Sequence, residues 1–469
     1  MKLLFGLALF AAAVLPAAAR VEFDASVQDD AVVQRGAAWR VGGSTDSTAA
    51  VVLRVDGRRV ETMPRDGRWS VELAVPADAR RMELALEGGE TRRVLAGDVW
   101  LCSGQSNMAM PTSRAQDGAA IAEGLADVPL RLLKVLPPTR ARGAVQQPWQ
   151  RADAAGTRAF SAVCLAFGRE LQRRIGVPVG LVDASLGGTR IEAWISAASL
   201  PPAVARDETY LRRLAPEDRG GGFEKNRASI LFDGMIAGLA QQPLRGVLWY
   251  QGESNRINAA SYADLLGLLM QDWRRHWRQG DLPFVIVQLP GFGASAAAFD
   301  PASPMAAVRE AQAVAAARDR NAVAVNTLDL GDVDLHPPRK LPFGQRAAAA
   351  AERRFYGQGA SAPAQAAIPR PQIQGARISV DLKPLAACVS TQGPIGPAVQ
   401  IAGSDGQWQP AEAELSGSTL MARSTRVPRP VALRYAWADH PATPLQDCAN
   451  NVPLPGFRTD DWSARPAGR

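Results

Sequence analysis

GDVWLCSGQSN, residues 97–107, runs from a short apolar stretch straight into a Gly-containing polar turn. Val99–Ser103 has the length and composition of a buried strand, and the turn places Ser106 just beyond its end. The same unit recurs downstream. VGLVDAS (179–185) leads into LGGT, GVLWYQ (246–251) into GESN, and AVAVNTLDL (322–330) into GDVDLH, with PFVIVQL (283–289) as a further apolar run. Helical stretches such as AVCLAFGRELQRRI (162–175) and YADLLGLLMQDWRRHW (262–277) lie between them. Strands alternating with helices predict an α/β fold whose parallel sheet is covered on both faces. In such a sheet the carboxyl ends of the strands share one edge, where ligands bind, so four separated turns are expected to meet in one site.

Outward from this region the texture changes. Residues 20–95 hold short alternating segments, VVLRV and WSVELAV among them, between Gly and Asp turns, which predicts an N-terminal β sandwich. The α/β region is read as 96–359. PAQAAIPRPQI (363–373) reads as a linker, and short β runs return over 360–469 as a C-terminal β domain. MKLLFGLALFAAAVLPAAA (1–19) has a Lys, an apolar run and a small-residue end, the layout of a cleaved secretory signal with cleavage after Ala19. The run is short for a bilayer span, so export without membrane insertion is expected. Net charge is +7, or +6 without Lys2, and no block of like charges appears, which argues against a nucleic-acid partner.

Ser106 needs a base within hydrogen-bond reach if it is a nucleophile. Only three histidines are present. His276 sits in WRRHW at a helix end and His440 in a Pro-flanked turn of the late β region, whereas His336 follows an α/β strand in GDVDLHPP. Elimination and position make His336 the candidate base. A carboxylate ordinarily orients such a histidine, and Asp332 and Asp334 are at hand. These two and His336 also alternate as along one face of an extended segment, but no second His or Cys group completes a metal site, and no metal or cofactor is expected.

GDVWLCSGQSNM, the long stretch from Phe160 to Trp194 ending in LGGTRIEAW, GVLWYQGESN and DLHP resemble the sialate O-acetylesterases, a carbohydrate-esterase branch of the SGNH hydrolases. VALRYAWADHP and FRTDDW near the end are similar as well. The resemblance implies a three-layer α/β/α flavodoxin-like core flanked by β domains, with Ser106 as nucleophile and His336 as base. It also implies an oxyanion hole from the Ser106 N–H, a backbone N–H of Gly187–Gly188, and a side chain of the QGESN loop, Gln251 first and Asn255 second. Glu253 would brace that loop. The sequence departs from the pattern in two places. The acidic residue often found three positions before the histidine is Val333 here, which leaves Asp334, Asp332 or a backbone carbonyl to orient His336. Asp233 in LFDGMI replaces an Asn of the family.

The implied activity is hydrolysis of acetyl esters on a sugar, with an O-acetylated glycan as the partner. Arg190, beside the Gly turn, suits the carboxylate of a sialic acid or an internal salt bridge. Trp194, Trp249 and Tyr250 are candidates to stack on sugar rings, with Trp249 equally a core residue. Acetylxylan or another acetylated polysaccharide is the alternative substrate, and a non-catalytic carbohydrate-binding protein the distant alternative. Cys102 and Cys164, inside apolar runs, read as small core residues, while Cys388 and Cys448 form a candidate disulfide. Nothing in the sequence sets the oligomeric state.

Overall fold

The computed structural model describes residues 20–138, 145–202, 204, 224–294, 299–357 and 370–462. The expected signal segment, the seam at Gly359 and most of the Pro-rich stretch lie outside these residues.

Six strands form the middle of the molecule: β1 (Thr91–Gly104), β2 (Leu130–Leu136), β3 (Val179–Ser185), β4 (Gly246–Tyr250), β5 (Phe284–Val287) and β6 (Ala322–Val325). They lie in the order β2-β3-β1-β4-β5-β6, every neighbouring pair parallel. All of β4 and β5 and the whole of β1 from Val94 onward are buried, as expected of parallel strands with no solvated face. The chain builds β2 and β3 on one side of β1 and then crosses to build β4, β5 and β6 on the other. That reversal at β1 opens a crevice at the carboxyl ends.

The main helices are α1 (Ser106–Ala109), α2 (Ala162–Ile175), α3 (Ala259–Trp277), α4 (Pro304–Ala317) and α5 (Leu341–Phe355). Ser161 caps α2 by accepting the Cys164 N–H, and Ser303 caps α4 just before Pro304. α2 packs against α5 and α3 against α4. The buried Ala347, Ala348 and Ala351 give α5 the small face that lets α2 approach. No helix among the described residues is long and apolar enough to cross a membrane.

The N-terminal strands are tied directly to this sheet. Arg80–Leu86 pairs antiparallel with the first half of β1, and Val32–Gln34 pairs parallel with Leu95–Gly97. One strand therefore crosses the seam between Leu95 and Ala96 without a break, and one buried cluster runs from Val27 to Ala351. Beyond residue 370 a second cluster, from Ile378 to Phe457 with Leu328 joining it, is wrapped by antiparallel sheets. The buried guanidinium of Arg309 in α4 fastens the two parts, donating to the carbonyls of Pro290, Ala438 and Asp439.

Two readings are corrected. Cys102 and Cys164 are buried as expected, yet they are bonded to each other, stitching β1 to α2; Cys388 and Cys448 are joined too. The run AVAVNTLDL does not stay extended: β6 stops at Val325, and Leu328–Leu330 forms a short 3-10 turn before the loop that carries His336.

Candidate active site

Strand register assembles the site. Ser185, Gly104 and Tyr250 stand side by side at the ends of β3, β1 and β4, so the turns after them emerge together. Gly104 has φ +139°, and a Cβ there would lie 2.0 Å from the Tyr250 carbonyl oxygen. Only glycine fits where β1 meets β4. The Gln105 N–H then donates to that carbonyl at 3.1 Å, and the chain turns into α1 with Ser106 as its first residue.

His336 arrives from the far side. Its Nε2 lies 2.8 Å from Ser106 Oγ. Its loop is held from several directions: the Gly293 N–H donates to the Asp332 carbonyl, the Gln116 N–H to the Pro338 carbonyl, and the Lys340 and Leu341 N–H groups to the Asp117 carboxylate. Asp332 and Asp334 do not line one face of an extended segment. Each instead accepts the backbone N–H two residues on, Asp334 from His336 at 2.9 Å and Asp332 from Asp334 at 3.1 Å. Asp334 Oδ1 is also 3.3 Å from His336 Nδ1, which makes it the carboxylate placed at the ring. The His336 N–H, more than any other group, holds the Asp334 carboxyl below its usual pKa. No group of three metal-binding side chains occurs among the described residues.

Gly187 lies against the serine, with Gly188 next to it in the same turn. A Cβ on Gly187 would come 3.3 Å from Ser106 Cβ, and Gly188 takes the left-handed conformation at φ +69°. Among the described residues the backbone N–H groups of Ser106, Gly187 and Gly188 donate to no protein acceptor. An oxyanion formed at Ser106 would need backbone donors of this kind, not already engaged, close to the hydroxyl.

Gln251 and Asn255 sit in the same shell, but with their amide hydrogens engaged elsewhere. Gln251 Nε2 is within hydrogen-bond reach of Thr189 O, Gln105 Oε1 and Asn255 Oδ1, and Asn255 Nδ2 of Glu192 Oε2 and Asn258 Oδ1. They knit the QGESN loop to the LGGTRIEAW segment. Glu253 is buried, takes a 2.5 Å bond from Asn107 Nδ2, and is pushed up in pKa by burial, in keeping with a brace.

Arg190 is 3% exposed, with its Nε donating to the Ser254 carbonyl at 3.4 Å. Trp194, Trp249 and Tyr250 are fully buried: the two tryptophans meet edge to face and Tyr250 stacks on Phe343, so these aromatics serve packing and are not open to a sugar. His276 Nε2 bonds the Ala237 carbonyl and His440 Nδ1 the Gly293 carbonyl, both apart from Ser106. Asp233 is exposed, and no contact explains its replacement of Asn.

Sequence reasoning passed over Asn107, Lys340 and Gln105. The adjacency of Asn107 and Gln105 to Ser106 was an available signal. Lys340 has none, since a lysine beyond a Pro-rich loop is ordinarily solvated.

A family model described as carbohydrate esterase, sialic acid-specific acetylesterase, matches residues 96–352. The sialate O-acetylesterases of Pongo abelii and Homo sapiens are 36% and 35% identical to this chain over 42% of its length. The chain spans 40% of the length of these curated relatives. A carbohydrate acetylesterase from Xanthomonas citri has a crystal structure that superposes with a TM-score of 0.80 at 30% identity, over 94% of this chain and 100% of that one.

Proposed function

This chain belongs to the family of sialic acid-specific carbohydrate acetylesterases, and on that premise we propose that it is an exported carbohydrate O-acetylesterase with Ser106 as nucleophile and His336 as base. The observation that carries this reading is the 2.8 Å contact between His336 Nε2 and Ser106 Oγ, placed under free backbone donors where the strand order reverses. His336 removes the Ser106 proton as Oγ attacks the acetyl carbonyl. The N–H groups of Ser106 and of Gly187 or Gly188 hold the oxyanion, and Asp334 orients and stabilises the imidazolium. Collapse expels the sugar oxygen, which takes the proton from His336; water then repeats the sequence on the acetyl-serine and releases acetate. No step requires a metal.

The sugar is read as a sialate on the strength of the family. An acetyl ester on a neutral polysaccharide such as xylan is the second reading, favoured by the burial of Arg190, which withdraws its guanidinium from an incoming carboxylate. Export is supported by residues 1–19 and by two disulfides, bonds that persist in oxidising compartments. We place the site on a three-layer α/β/α, flavodoxin-like core (96–359) between N-terminal and C-terminal β domains.

Acetate release from O-acetylated sialic acid and from acetylated xylan, by the wild type and by Ser106→Ala with and without a chelator, tests this. Release should fall by several orders of magnitude in the variant and be indifferent to the chelator. Equal rates for the two proteins would remove Ser106 as nucleophile, and a folded wild type inactive on both esters would remove the esterase reading.

A further inference from the structure

We propose that Asn107 is a positioning residue of this centre: its carboxamide holds the backbone of the His336 loop against the turn that carries Ser106. The proposal rests on the esterase reading for its kinetic consequence, though not for its geometry. Asn107 is fully buried and follows Ser106 directly. Its Nδ2 donates to the carbonyl of Leu335, the residue before His336, at 3.0 Å and to Glu253 Oε1 at 2.5 Å. Its Oδ1 accepts from Lys340 Nζ at 2.6 Å.

The partners leave the amide one orientation. A backbone carbonyl only accepts and a lysine ammonium only donates, so turning the amide over would break both bonds at once. One planar group therefore spans two segments that are 228 residues apart in sequence, one peptide away from each member of the Ser106–His336 pair. Lys340 is itself fixed by its backbone N–H on Asp117, so the loop is clamped at Leu335 on one side of His336 and at Lys340 on the other. Such a clamp sets the approach of Nε2 to Oγ, a distance on which a displacement of about 1 Å costs on the order of a hundredfold in rate.

Two full-chain variants separate this role from simple packing. Asn107→Ala removes all three bonds. Asn107→Asp keeps the shape and the acceptor for Lys340 but, when ionised, has no hydrogen to give Leu335. Hydrolysis of 4-nitrophenyl acetate should show kcat lowered about a hundredfold in both, with KM within about threefold of wild type and thermal unfolding still cooperative. Wild-type kcat in a folded Asn107→Asp protein would overturn the proposal, because the Leu335 bond would then be dispensable. The same holds if the loss of activity only tracks a loss of folded protein. If Ala does not fold, the isosteric Asp variant decides.

Histidine-selective NMR of isotope-labelled protein supplies a readout that needs no turnover, and the chain has only three histidines to resolve. The His336 ring signals should shift in both variants while those of His276 and His440 stay in place. Unmoved His336 signals would sink the clamp even in an active enzyme. Signals shifted in the variants, together with a wild type that hydrolyses no acetyl ester, would sink the esterase reading and leave the clamp standing.

Discussion

Lys340 heads α5 with its side chain out of water and its amine bonded to Asn107 Oδ1. Burial draws its pKa down from 10.5 to about 8, although Glu253, Asp117 and Asp334 pull the other way. Because the folded pKa lies below the unfolded one, the unfolded chain binds the extra proton between about pH 8 and 10.5, and folding gains stability as pH rises through that window. At about 1.4 kcal/mol per pH unit, the gap is worth about 3 kcal/mol. Lys340→Met removes the titration and keeps most of the bulk. Urea unfolding of both proteins at pH 7 and at pH 10.5 measures the effect. Subtracting the variant from the wild type cancels every other titrating group to first order. The Asn107 oxygen left without a donor costs the variant about 1–3 kcal/mol, an offset that the comparison across pH also removes. The stability difference should move by about 3 kcal/mol in favour of the wild type on going to pH 10.5. A difference that is flat with pH, or that moves in favour of the variant, would refute the reasoning and put the Lys340 amine in contact with water.

Other positions carry expectations of their own. Gly104→Ala drives a Cβ into the Tyr250 carbonyl at a positive φ. It should lower stability in urea unfolding by about 2 kcal/mol or more, and a loss below about 0.5 kcal/mol would show that β1 and β4 can part there. Gly187→Ala brings its Cβ against that of Ser106 without a backbone clash. It should leave the urea midpoint near wild type while lowering kcat on an acetyl ester on the order of a hundredfold. Cys102→Ala with Cys164→Ala opens a crosslink between residues 62 apart. The unfolding free energy should then fall below that of the wild type by up to about 4 kcal/mol. Arg309→Met strips the shared donor from the Pro290, Ala438 and Asp439 carbonyls. That should cost about 3 kcal/mol in urea unfolding and hasten limited proteolysis beyond residue 370.

β2, interrupted by Arg131 and Lys134, went unread, whereas β1, β4 and β5 were legible because each is buried on both faces and so is written as an unbroken apolar run with a turn marking its end. Their lateral order was not, since hydrogen bonding between neighbouring strands uses only backbone groups that every residue shares. The same limit hid the continuity of β1 through Leu95 and Ala96: composition changes there, while the ladder does not. Cys102 and Cys164 pack among apolar neighbours whether bonded or not, so their surroundings say nothing about pairing.

At the site, the readable residues were the one whose chemistry is rare in this chain, a histidine, and the strand-end serine that it can serve. Ser106 and His336 stood out because a strand-end serine needs a base and only one histidine sits in the α/β loops. Amides are different. Gln251 and Asn107 are both carboxamides in the turns around Ser106, and the sequence offers no reason to prefer one as the donor the proposed mechanism needs and the other as a clamp. What separates them is which acceptors lie within reach: Thr189 O and the side-chain oxygens of Gln105 and Asn255 surround Gln251 Nε2, whereas Leu335 O and Glu253 meet Asn107 Nδ2. All of those acceptors but Asn255 arrive from segments far away in the chain, so an amide's role is fixed only once the sheet has brought the strand ends together. On the proposed esterase reading, the backbone N–H groups of Ser106, Gly187 and Gly188, which have no acceptor among the described residues, are then the donors left to meet a developing negative charge.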